Sequence, residues 1–131
     1  SGDVETLREL ALAALADGDG AEAARLADRM TERGADDARS RVVLARAHLA
    51  AGRREDAHAL AVRLVADVAG GAPPVAEGAL LHFALGDVDE GDAWIELAAG
   101  ARDVGLLAVA VDPAFDAYRT RPRVASVVRS L

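Results

Sequence analysis

Gly18, Gly52 and Gly86 lie 34 residues apart, and each closes an apolar helical run and precedes an acidic, alanine-containing segment. The same step relates Ala11, Ala45 and Ala79; Leu15, Leu49 and Phe83; Ala23, Ala57 and Gly91; and Leu26, Leu60 and Trp94. A period of this length with small residues at fixed slots predicts stacked helix–turn–helix units. A single pair of short helices cannot hide its own apolar face, so neighbouring pairs must bury it for one another. The expected fold is therefore all-α: a right-handed α–α superhelix of three helix pairs closed by a helical C-terminal cap. It should form one domain over 1–131, with repeats at 4–37, 38–71 and 72–105 and the cap at 106–131.

Hydrophobic residues make up 52% of the chain but aromatic residues only 3%, so alanine supplies much of the apolar content. Alanine loses no side-chain entropy in a helix and lets helices approach closely. The formal net charge of −7 argues against direct nucleic-acid binding and against an anionic membrane surface. No cysteine is present, which removes disulfides and thiolate metal sites and suits a reducing cytoplasm, the expected location. No apolar run is long enough to span a bilayer and no signal peptide is seen. Charge alternates along the chain: the stretches 1–37, 38–71, 72–105 and 106–131 carry −6, +3, −6 and +2. Two readings fit this: lateral attraction between stacked repeats, although exposed pairs are individually weak, or a basic stripe on the second repeat offered to an acidic partner.

Periodicity and caps place helices at about Val4–Ala16, Ala21–Arg33, Asp37–Ala51, Glu55–Val68, Val75–Leu85 and Asp89–Ala99. Asp3 is the expected N-cap of the first. Gly70-Gly71-Ala72-Pro73-Pro74 is the strongest internal break. The apolar stretch Val104–Val111 reads as a short helix, since a lone strand would leave its backbone groups unpaired. A last helix is expected at Arg121–Arg129, with Phe115 and Tyr118 pinning the tail onto the third repeat.

Numbered from residue 4, the small slots hold Ala11, Gly18 and Ala23; then Ala45, Gly52 and Ala57; then Ala79, Gly86 and Gly91. In this pattern the chain resembles the tetratricopeptide repeat family over roughly residues 4–105. Some slots depart from the family: Arg41 and Gly78 stand where bulky apolar residues are usual, and Ala14, His48 and His82 where an aromatic is usual. The closing run VDPAFDAYRTRPRVASVVRSL looks like the end of many bacterial proteins of this family, which often carry a regulatory module beside the repeats.

The resemblance implies a non-catalytic scaffold that holds a protein or peptide in a concave groove lined by the first helix of each pair. The positions carried over are Arg8, Arg39, Val42, Arg46, Leu80 and Phe83, which would mix arginines with an apolar strip ending at Phe83. Arginine grips carboxylates with two parallel hydrogen bonds, so the expected guest is acidic. The lysine–asparagine carboxylate clamp of some family members is absent, with Arg8, Leu12, Val43, Pro73 and Glu77 at its positions. The alternative is a self-association or intramolecular docking domain of a larger bacterial regulatory protein, for instance a homodimer.

No enzyme signature is found, and no cofactor or metal is expected. His48 and His82 occupy equivalent positions, but structural zinc takes four protein ligands and no thiolate is available. Asp87, Asp89 and Asp92 imitate a calcium loop only briefly, without its glycine and closing glutamate in register.

Overall fold

A computed structural model describes residues 3–131 and contains no strand among them. The α-helices are α1 (Val4–Ala16), α2 (Gly20–Glu32), α3 (Ala38–Ala50), α4 (Arg54–Ala69), α5 (Ala79–Ala84), α6 (Val88–Gly100), α7 (Leu106–Val111) and α8 (Pro122–Arg129). Two short 3-10 turns, Ala76–Gly78 and Pro113–Phe115, precede α5 and follow α7. The chain forms two compact units, Ser1–Leu64 and Val65–Leu131, and the division falls within α4.

Carboxylates start the first three helices. Asp3, Asp19 and Asp37 are the N-caps of α1, α2 and α3, accepting from the amides of Thr6, Glu22 and Ser40 at 2.8, 3.0 and 3.2 Å. Each satisfies one of the amides that a helix start leaves without a partner. The core here is Leu7, Ala11, Ala14, Ala23, Leu26, Ala27 and Met30, joined by Val43, Leu44 and Ala47. Alanines at the crossing points let the helices approach closely. Gly20 takes this furthest, since a Cβ there would sit 2.5 Å from the Ala50 carbonyl oxygen.

In the second unit Trp94 is 1% exposed and its indole Nε1 donates to the Val75 carbonyl at 2.7 Å. The Gly78 amide takes the same carbonyl at 2.9 Å. That sharing explains why the helix expected over Val75–Leu85 begins as a 3-10 turn and becomes α-helical only at Ala79. Gly71 occupies the slot where Asp3 and Asp37 cap earlier helices. Asp103 takes over from a distance, its carboxylate accepting from the amides of Ala76 at 2.9 Å and Gly105 at 3.1 Å.

Helix ends follow one design in both units. After α1, the Asp19 amide reaches the Ala14 carbonyl at 2.9 Å and the Gly18 amide reaches Leu15 at 3.1 Å, with Gly18 at φ +73°. This double bond with a left-handed residue between is the Schellman arrangement. Gly34, Gly52, Gly71 and Gly86 serve the same role at φ +73°, +79°, +106° and +91°. After α6 the left-handed position falls to Arg102, φ +55°, with the Asp103 amide bonded to the Ala98 carbonyl at 3.0 Å. A side chain there crowds the following carbonyl, which glycine avoids. Arg102→Gly should therefore raise stability by about 0.5–1 kcal/mol in urea unfolding, the left-handed strain of roughly 1–2 kcal/mol less the extra backbone entropy of glycine. An equal loss would show that the arginine side chain contributes more than its backbone strain removes.

Candidate functional site

The arginines expected to face a guest lie on the first helices of the first unit, α1 and α3. Arg8 Nη1 donates across from α1 to Asp37 Oδ2 and to the buried Ser40 Oγ, both at 3.2 Å. Burial alone would raise the Asp37 carboxyl, but hydrogen bonds from the Ser40 hydroxyl and amide, with the Arg8 charge, bring it below its ordinary value. Arg8 thus ties one helix pair to the next while remaining partly exposed. Arg39 and Arg46, one helical stretch apart at i and i+7, are also partly exposed. Val42, between them in sequence, is 2% exposed and belongs to the core.

Leu80 and Phe83 lie in the second unit, 7% and 5% exposed, and offer no open apolar strip. The Phe83 ring stacks on Tyr118 with centroids 4.3 Å apart and planes 11° apart. A Cβ added to Gly91 would lie 2.5 Å from that ring. The larger ring at the slot held by Leu15 and Leu49 is therefore matched by loss of the methyl that Ala23 and Ala57 carry at theirs. Phe83 exchanges volume with Gly91, and that exchange turns it inward.

The closing segment acts through its arginines. Arg119 donates to the carbonyls of Val109 at 2.9 Å and Asp112 at 2.8 Å, capping the end of α7. Arg121 Nε and Nη2 grip Asp92 Oδ1 and Oδ2 at 2.8 and 2.7 Å, joining α8 to α6. Its guanidinium also sits 5.9 Å from the Phe83 ring centroid. Arg123 pairs with Glu96 one turn further along α6. The hydrogen bonds from Arg121 hold the Asp92 carboxyl below its usual range, against the opposing push of burial. Asp92 is thus a structural anchor, although in the sequence it stands out only as part of a brief likeness to a calcium loop.

His82 is buried beside Trp94, ring centroids 5.1 Å apart, and burial lowers its pKa despite the opposing charges of Glu90 and Asp87. A histidine more acidic in the folded than in the unfolded chain loses stability as pH falls below the unfolded value near 6.5. Urea unfolding should therefore show stability dropping from pH 7 to pH 5.5, with a shallower slope in His82→Phe; identical slopes would remove His82 from the account. His48 belongs to the first unit and is partly exposed. Among the described residues no group of three or more His, Cys, Asp or Glu could hold a metal ion, and no helix is long and apolar enough to cross a membrane.

Comparison with known proteins adds one result. The family model described as tetratricopeptide repeat matches residues 14–81, just over half of the chain. No curated protein and no solved structure gives a significant match. The matched span contains the Gly18 and Gly52 helix stops and the alanine slots between them. By that match and by the repeated capped helices around it, this chain belongs to the tetratricopeptide repeat family.

Proposed function

We propose that this chain is a non-catalytic interaction scaffold whose partner is an acidic protein or peptide lying on the α1–α3 face of the first unit. Tetratricopeptide repeats mediate protein–protein interaction. Its repeats are 4–37, 38–71 and 72–105, with 106–131 as their cap in one domain. The observation that carries it is the row of partly exposed arginines, Arg8, Arg39 and Arg46, on adjoining first helices of an otherwise acidic chain. Arg39 and Arg46 are the contact residues; Arg8 positions α1 against α3 through Asp37 and Ser40. Val42, Leu80 and Phe83 shape the helices from within and do not touch the guest.

An array of acidic and basic peptides probed with the protein tests this. Acidic peptides should be retained, and Arg39→Glu or Arg46→Glu should weaken retention on the order of tenfold, because each replaces an attractive charge by a repulsive one. Arg25→Glu, at an exposed position of α2, should leave it unchanged. Equal binding by all three variants would remove this face.

A second reading, self-association or docking within a larger regulatory protein, is favoured by α7 and the residues leading into it. Val104, Leu107 and Val111 recur on one side and are 75%, 70% and 77% exposed, more than scattered surface residues require. Light scattering over a dilution series distinguishes it: a mass that doubles with concentration, and stops doubling in Leu107→Glu, supports association.

A further inference from the structure

In α1–α2 the slots of Leu7, Ala14 and Leu26 are 1%, 7% and 2% exposed, a closed seam between two helices. A step of 34 residues carries them to Arg41, His48 and Leu60 in α3–α4, where none is fully buried. The chain has thus put a cation and an imidazole into a seam that its own preceding repeat fills with hydrocarbon. There the seam stands open as a cavity of about 280 Å³, lined by these three residues together with Leu44, Asp56 and Arg63. The His48 Nδ1 atom is shut off from solvent and has no hydrogen-bond partner. His48 therefore meets the open space through the other atoms of its ring.

We propose that this seam is a carboxylate-binding site. Arg41 from α3 and Arg63 from α4 bring two guanidiniums to the lining, and planar guanidiniums are the side chains best matched to carboxylate oxygens. His48 adds an imidazole to the same lining, and Leu44 and Leu60 give a short methylene chain an apolar wall. The volume suits a carboxylate on a few methylenes rather than a large ligand. Such a group comes from a free short dicarboxylic acid or from a glutamyl side chain of a peptide; the chemistry is the same.

Asp36 and Asp56 also line the cavity, so with a neutral imidazole the lining charges of the two arginines are cancelled. A carboxylate gains most when His48 takes up a proton. Burial lowers the pKa of the unoccupied imidazole, with Asp56 and Asp28 opposing and Arg53 reinforcing. An added anion raises it, so binding takes up a proton and should strengthen as pH falls from 7.5 to 5.5. The site shares neither Arg39 nor Arg46 with the α1–α3 face, so either can fail without the other.

The test is an NMR titration of the intact, histidine-labelled protein, with His48 assigned by its loss in His48→Gln. The probes are glutarate, N-acetylglutamate N-methylamide, and neutral glutaramide. The expected result is a saturable shift of the His48 imidazole at millimolar carboxylate, with its pKa raised by roughly half a unit or more and no response to glutaramide. Arg63→Gln, on the exposed side of α4, should weaken binding on the order of tenfold while circular dichroism stays native. A response to either carboxylate supports the site, and which one responds identifies the source. No saturable shift with either acid at tens of millimolar, or an undiminished shift in both Arg63→Gln and Arg41→Gln, overturns it.

Discussion

Trp94→Ala should cost the second unit about 3–5 kcal/mol, the range for removing a large aromatic side chain from a core. The indole is 1% exposed, so nearly all of its surface is withdrawn from water. A Cβ at Gly78 would lie 2.6 Å from its Nε1, showing that the backbone before α5 runs directly against the ring. Truncation opens a cavity there and also strips the Val75 carbonyl of the indole N–H that helps hold the 3-10 turn. With only six residues, α5 has little helical stability of its own. Trp94→Phe separates the two effects, because it keeps most of the apolar area and loses the hydrogen bond, at about 1–2 kcal/mol. Urea unfolding of both variants, with hydrogen exchange locating the loss in α5 and α6, measures this. A Trp94→Ala cost below that of Trp94→Phe would contradict the packing argument.

Much of this arrangement is legible in the chain itself. Gly18, Gly52 and Gly86 adopt positive φ where the 34-residue step places helix stops, because the left-handed cap is a local requirement that glycine meets anywhere. Asp3 and Asp37 cap for an equally local reason. What period alone cannot supply is a partner distant in sequence. Asp103 capping Ala76, Arg121 gripping Asp92 and Tyr118 stacking on Phe83 span 27, 29 and 35 residues, and none repeats in the earlier pairs. Phe83 accordingly reads as a groove residue until Gly91 and Tyr118 are seen to enclose it. Arg102 has the reverse history: its slot is that of Gly34 two steps on, yet its residue type conceals the left-handed turn. Arg41 and His48 are visible as departures from an apolar pattern, but only their common cavity shows that the two belong together.

Arg121→Met should also be strongly destabilising, for an electrostatic reason that pH can expose. Asp92 has 4% of its side chain exposed and Arg121 has 30%, so the two ends of the pair do not suffer equally when separated. In Asp92→Asn the guanidinium turns toward water and the loss is small. In Arg121→Met the carboxylate is left inside without its counter-charge, and stranding a buried charge costs about 3–5 kcal/mol. Asp92 can escape by taking a proton, which sets a ceiling: at pH 7, protonating an ordinary carboxyl costs about 4 kcal/mol, and about 1.4 kcal/mol less for each unit the pH is lowered. The wild-type protein behaves oppositely, because its Asp92 titrates below the ordinary range and its stabilising contribution is lost as pH falls through that range. The gap between Arg121→Met and wild type should therefore be largest at pH 7 and shrink toward pH 4, while Arg121→Met remains less stable than Asp92→Asn at neutral pH. Chemical denaturation of the three proteins at several pH values decides it. A gap that does not change with pH would mean that Arg121 acts through its contact with the Phe83 ring, and that the charge on Asp92 is incidental to holding α8 on α6.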